Sequence, residues 1–229
     1  MTIKIHDKIA QGTPEWLELR CGKLSASNVK AIITPAKLEP AKNATMLFYA
    51  AQIAVERITN KIVDGVKTSA MAKGNDLEPE ARDFYHNNFA SVREVALMEN
   101  SDVPFPFCAS PDGLLVNENG GLEIKCLSNA SEYFHLLRSP EPDAIPLERR
   151  LQMASQQLAG GLDFVDFVIY IEGLKMRPIR YYRDEGLIAK ILLAGEAFEK
   201  AVQEAIKLHD LCDGILTPVI KTIEDTELW

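Results

Sequence analysis

Residues 110–128 read Ser-Pro-Asp-Gly-Leu-Leu-Val-Asn-Glu-Asn-Gly-Gly-Leu-Glu-Ile-Lys-Cys-Leu-Ser, and this stretch decides how the rest of the chain is read. Leu122, Ile124 and Cys126 alternate with Glu123 and Lys125, the period of a half-buried strand. Asn117–Gly121 is turn chemistry, since Asn and Gly tolerate positive φ. Two short strands joined by that turn bring Asp112 beside Glu123 and Lys125, with the last two on one face. The product is two carboxylates and an ammonium at one spot. Paired carboxylates repel and favour a hard cation, and Mg²⁺ takes oxygen ligands while keeping several waters. A cation so placed polarises a phosphoryl oxygen and activates water. The neighbouring lysine orients or deprotonates that water. The bland alternative is a solvated hairpin whose Glu and Lys face solvent.

Upstream, Thr13-Pro14 puts a hydroxyl at N-cap and a proline at N1 of a short helix. Trp16, Leu17 and Leu19 form its apolar side, and Gly22 ends it. Ser25 is a second N-cap, opening a helix through Val29, Ile32 and Ile33 that Pro35 stops. Arg20 and Ser27 thereby fall on adjacent short helices. A helix N-terminus, a hydroxyl and a guanidinium fork together make an anion site. A surface salt bridge from Arg20 to Glu15 or Glu18 is the competing reading. Residues 34–43 form a Pro/Lys/Ala loop that includes Lys37. Asn43 caps a helix over Ala44–Thr59, with Leu47, Ala50, Ala51, Ala54, Val55 and Ile58 as the buried face. Residues 70–88 are helical, with Pro79 at a fresh first turn or a kink, which places Glu78 near a helix mouth. Glu80 and Arg82 face water or pair locally.

Val92–Met98 reads as a strand leading into the signature stretch. Beyond that stretch, Ala130–Leu137 is a short helix, and Leu147–Leu158 is another closed by Gly160-Gly161. Gln152 and Gln156 stand at i and i+4 on one face of it. Phe164–Ile171 is an apolar strand fit for a sheet centre, with Lys175–Tyr182 as its antiparallel neighbour. Asp184–Asp210 is a long amphipathic helix with Gly214 at its end.

With 229 residues, 47% of them hydrophobic, one domain spanning 1–229 is expected. No apolar run reaches membrane-spanning length, and the first residues lack a signal core. Four scattered cysteines and four histidines show no zinc spacing, so a reduced cytoplasmic setting is expected. The formal net charge of −8 excludes an indiscriminate nucleic-acid coat. It is uneven: residues 1–42 hold seven Lys/Arg against four acids, +3, which leaves −11 for the remainder. Lys175, Arg177, Arg180 and Arg183 form a second basic cluster.

Pro111-Asp112, ten intervening residues and Glu123-Ile124-Lys125 match the pattern of the PD-(D/E)xK nucleases. Three further blocks sharpen the likeness. Trp16, Arg20, Gly22 and Ser25-Ala26-Ser27 form one; Gly74, Glu78, Ala81 and Arg82 form the second; the Gln-rich helix over 152–158 is the third. In this order over residues 12–158, the chain resembles the phage lambda exonuclease and YqaJ-type viral recombinase family. The resemblance implies a restriction-endonuclease-like α/β fold, a central mixed sheet flanked by helices. It implies a 5′→3′ exonuclease on double-stranded DNA that releases 5′-mononucleotides, leaves a 3′ single strand and serves recombination by strand annealing. Asp112, Glu123 and the Ile124 carbonyl are then the ligands of two Mg²⁺ ions, with Mn²⁺ able to substitute, and Lys125 positions the water. Glu78 supports the metal site, and Gln152 is the glutamine chosen to reach it. Arg20, Ser27 and Lys37 take substrate phosphate, and Met71 is a core residue or a wedge at the DNA end. Ser131 stands where the family carries a further phosphate-binding Arg. The expected partners are DNA ends, two more copies in a homotrimeric ring and a single-strand annealing protein, the last docking on the acidic tail or the surface after residue 214. An endonuclease of the same fold and a non-catalytic DNA-end binder are the alternatives.

Overall fold

The computed structural model describes residues 2–63, 69–126 and 130–212, with only the backbone path over 69–75. In chain order the elements are β1 (Ile3–His6), α1 (Pro14–Arg20), β2 (Leu24–Ser25), a 3-10 helix (Ala26–Ala31), α2 (Ala44–Thr59), α3 (Ser69–Asn88), β3 (Val92–Arg93), β4 (Leu97–Asn100), β5 (Phe107–Cys108), β6 (Gly113–Leu115), β7 (Gly120–Cys126), α4 (Ala130–Arg138), α5 (Leu147–Gly160), β8 (Phe164–Tyr170), β9 (Ile179–Tyr182) and α6 (Glu185–Asp210). Among the described residues the main sheet runs β3-β6-β7-β8-β9, antiparallel except for the parallel β7–β8 pair. β1–β4 and β2–β5 form two small ladders beside it. The mixed sheet flanked by helices is the fold class expected.

The sheet has a core on each face. Val165, Phe167 and Ile169 of β8 pack with α5, α6 and α2 on one side. Leu122, Ile124, Val168 and Tyr170 pack with Ala81 and Tyr85 of α3 on the other. β7 is therefore buried on both faces, not half-buried, and Glu123 has no solvent exposure. The reason is that α3 covers one face and α5 the other, and neither leaves a mark on the alternation of β7 itself. The turn before β7 also differs from expectation. The described positive-φ residues lie elsewhere, and Gly120 and Gly121 are already in the strand. A Cβ on Gly120 would overlap the Phe164 ring, so close approach of β8 is what requires glycine there.

Several caps follow the expected chemistry. Trp16 N–H bonds Thr13 Oγ1 at 3.3 Å and Met46 N–H bonds Asn43 Oδ1 at 3.0 Å; the structure adds a cap at α6, where Leu187 N–H bonds Asp184 Oδ1 at 2.8 Å. Gly161 closes α5 at φ 61. α2 is rotated from expectation: Met46, Ala50, Ile53, Ala54 and Glu56 face inward, while Leu47, Val55 and Ile58 are exposed. Glu56 takes a buried place because its carboxylate accepts the Gly22 and Val63 amides. Ser25 opens a 3-10 helix without capping it. Pro79 sits inside a continuous α3. The expected strand over Val92–Met98 divides between β3 and β4, which belong to different sheets. Gly214, the acidic tail and the side chain of Met71 lie outside the described residues. Among those described, no helix is long and apolar enough to cross a membrane, and the four cysteines are unpaired.

Candidate active site

The β6–β7 ladder, with Gly113 opposite Leu122, sets Asp112 against the middle of β7. Asp112 N–H bonds the Leu122 carbonyl at 3.1 Å, and Ile124 N–H donates to Asp112 Oδ2 at 2.6 Å. Glu123 Oε2 accepts from Gln156 Nε2 of α5 at 2.5 Å. Its Oε1 is buried without a hydrogen bond and is contacted by the Lys125 ammonium. Asp112, Glu123 and Lys125 are thus brought together as the residue spacing implied.

Glu78 approaches this group from α3 and is held by Arg82 Nη2 at 2.5 Å. Arg82 does not face water: Nε also donates to the Asp112 carbonyl at 2.6 Å and Nη1 to Glu94 at 2.5 Å. One guanidinium therefore ties α3 to the signature loop, a role not foreseen from sequence although Glu78 and Arg82 are i,i+4 neighbours. Glu80 accepts from the Tyr170 hydroxyl across the sheet instead of pairing locally.

The electrostatics describe a cluster short of positive charge. Burial, then Glu123 and Glu78, push the Asp112 carboxyl well above the usual range, against Lys125 and the Ile124 amide. Burial also raises Glu78, with Glu123 adding to it and Arg82 opposing. Burial lowers Lys125, but the Glu123 and Asp112 carboxylates outweigh it and leave the amine above its usual value. Burial and the two carboxylates thus act on Lys125 in opposite senses, and an amine held between them is placed to orient water. The donor set fits Mg²⁺: two buried carboxylates crowded so that each disfavours the other's charge, and a strand carbonyl. Among the described residues no three His, Cys, Asp or Glu side chains converge on one point. The fit is therefore to a cation that retains several waters.

A second site lies alongside. The Arg20 guanidinium stacks over the Trp16 ring at 4.3 Å. Trp16 Nε1 in turn bonds the Ala96 carbonyl at 3.0 Å and Ser110 Oγ at 3.1 Å. This gives the Trp-x-x-x-Arg spacing its physical meaning: i and i+4 on α1 place ring and cation on one face. Gly22 follows at φ +71, where a Cβ would meet the Arg57 side chain at 2.7 Å. Arg20, Ser25, Ser27, Cys108, Ser110 and Gln152 line a recess of about 20 Å³.

Gln152, expected at the carboxylates, lines this recess, and Gln156 makes the bond to Glu123 instead. Gln157 is turned away, bonding the Tyr181 carbonyl at 3.0 Å. Lys37 is exposed and lines a separate, wider groove with Arg150 and Lys190. The basic cluster over 175–183 is largely neutralised: Arg180 is held by Asp166 and Glu118, and Arg183 by Glu185.

Comparison with known proteins places this geometry. Residues 15–162 match the model of the YqaJ-like viral recombinase domain. An alkaline exonuclease, LHK-Exo, from Laribacter hongkongensis superposes with a TM-score of 0.72 at 30% identity, over 86% of this chain and 96% of that one. The same enzyme in complex with dAMP gives 0.73 at the same identity and coverage. A phage-related exonuclease from Haemophilus somnus 129PT shares the fold at 16% identity, TM-score 0.61, over 82% of this chain and 96% of that one. No curated protein matches the chain.

Proposed function

The chain belongs to the YqaJ-like viral recombinase family, and on that footing we propose that it is a Mg²⁺-dependent exonuclease. It digests double-stranded DNA from the 5′ end, releases 5′-mononucleotides and leaves a 3′ single strand for annealing. The observation that carries this is the shared helix α5. Gln152 lines the Arg20/Ser27 recess and Gln156 bonds Glu123, one turn apart. That turn is about 6 Å along the axis, a span of the order of one nucleotide. A terminal phosphate seated in the recess leaves the next phosphodiester at the carboxylates. The dAMP complex of the Laribacter enzyme supports a mononucleotide product.

Asp112, Glu123 and the Ile124 carbonyl would hold Mg²⁺, which supplies positive charge to polarise the phosphoryl oxygen. The Lys125 side chain orients water towards phosphorus; as the new O–P bond forms the P–O3′ bond breaks, and the proton shed by the water passes through solvent to the leaving 3′-oxygen of the terminal nucleotide. Gln156 keeps Glu123 in place, while Arg82 anchors the main chain at Asp112. Arg20 and Ser27 hold the 5′ phosphate and so set direction. Such contacts carry no base information, so digestion is independent of sequence. Assembly as a homotrimeric ring belongs to the same proposal, supported by the exposed apolar ridge of Leu47, Phe48, Val55 and Ile58 that self-association would cover. So do a cytoplasmic setting and a single-strand annealing partner.

Digestion of a linear duplex labelled at either 5′ end, beside a closed circle, tests the activity. Labelled mononucleotide from the linear DNA, an intact circle and no reaction in EDTA are expected. A cut circle indicates an endonuclease, and end binding without Mg²⁺-stimulated release indicates a binder. The two glutamines divide as well. Gln156→Leu lowers the maximal rate about 10- to 100-fold, whereas Gln152→Leu acts on KM for the DNA end. The opposite ranking in initial-rate measurements refutes the assignment.

A further inference from the structure

Arg149 lies on the same face of α5 as the two site glutamines, three residues before Gln152 and seven before Gln156. It is close enough to Lys125 for their charges to repel. Its side chain is 22% exposed, and among the described residues its buried Nε has no hydrogen-bond partner. Its nearest carboxylates stand off: Glu132 Oε1 at 3.9 Å and Glu148 Oε1 at 3.7 Å, both beyond hydrogen-bond range. Glu148 is engaged elsewhere, accepting from Lys30 at 3.0 Å, and Glu132 Oε1 is itself buried without a hydrogen bond. Other part-buried arginines are gripped. Arg57 holds Glu199 through two bonds of 2.6 and 2.8 Å, and Arg180 holds Asp166 through two of 2.9 Å.

A guanidinium left half-satisfied beside a catalytic lysine matches a planar oxyanion that is not part of the chain. We propose that Arg149 is a phosphate-contact residue, taking the backbone phosphate that lies against Lys125 in the bound strand. This rests on reading the site as one that holds a DNA strand. It adds a cation from α5 to the recess cation Arg20 of α1, so that α5 lines the strand's path with Arg149, Gln152 and Gln156 in turn. Glu132 and Glu148 hold the guanidinium near its working position without saturating it.

The test is binding of a labelled linear duplex in EDTA across a salt series, for the wild type, Arg149→Gln and Arg149→Lys. Arg149→Gln is expected to bind roughly tenfold more weakly and to reduce the slope of log K against log salt by about 0.9, one phosphate contact. Arg149→Lys keeps the slope and recovers most of the affinity. An unchanged slope in Arg149→Gln overturns the proposal, as does a loss in Arg149→Lys equal to that in Arg149→Gln. Nucleotide release by the wild type with Mg²⁺ is measured in parallel. Release with an unchanged slope rejects the Arg149 contact alone. The slope change without release supports the contact and rejects the exonuclease.

Discussion

Asp112→Asn is expected to lower nucleotide release by about a thousandfold or more while raising the melting temperature of the metal-free protein. The two effects share one cause. Burial, then Glu123 and Glu78, hold the Asp112 carboxyl well above its usual range. The folded state therefore binds that proton more tightly than the unfolded chain does. Stability is greatest below the unfolded pKa of about 3.9 and falls as pH rises towards the folded value. Once pH exceeds that folded value the metal-free fold carries the full cost of a charge it disfavours. Asparagine keeps the shape and an oxygen for the Ile124 amide but removes the charge. It also removes a ligand, so Mg²⁺ should raise the melting temperature of the wild type and not of the variant. Melting curves at pH 5 and pH 8, with and without Mg²⁺, read all of this. A variant that melts lower than the wild type at pH 8 and still digests DNA refutes both the ligand assignment and the electrostatic account.

Asp166→Ala should cost about 3–5 kcal/mol of stability while leaving every residue of the proposed site in place. Asp166 is 3% exposed and pairs across the sheet with Leu122, immediately before Glu123. It accepts the Tyr85 hydroxyl at 2.6 Å and both Nε and Nη2 of Arg180 at 2.9 Å. Arg180 also bonds Glu118 at 2.8 Å and lies 3.6 Å from the Phe164 ring centre. Burial and the Asp166 carboxylate both push the Tyr85 phenol upward, so it remains a donor. Alanine strands a buried hydroxyl and half of a guanidinium at once. Replacing the acceptor by Asn, which keeps one oxygen, should cost less. Urea denaturation measures both. A loss below about 1 kcal/mol for Asp166→Ala, within the range of an exposed pair, would show that the network behind β7 is not stabilising the strand that carries Glu123.

Much of the site was legible in the chain because its chemistry is local. Asp112, Glu123 and Lys125 lie within fourteen consecutive positions, and a strand period with a short turn is enough to bring them together. The caps at Thr13 and Asn43 were equally readable, since each side-chain oxygen accepts from an amide three residues on. Trp16 and Arg20 belong to the same class, an i,i+4 pair on one short helix.

What sequence could not decide were rotations and distant partners. Gln152 and Gln156 share one face of α5 and stand about 6 Å apart along its axis. Which of them meets Glu123 therefore depends on how far α5 is slid along the sheet, and packing far from either residue sets that position. On α2 it was the roll that mattered: it exchanged Leu47 and Val55 for Met46 and Ile53 in the core, because Glu56 had to reach the Gly22 amide. Arg82 and Arg180 read as surface charge until α3 and β9 were in place around Asp112 and Asp166. Which groups could do the chemistry is written in the order of residues. Which of them meet is settled by packing, since hydrogen-bond reach is a matter of ångströms and those are set by contacts between residues far apart in the chain.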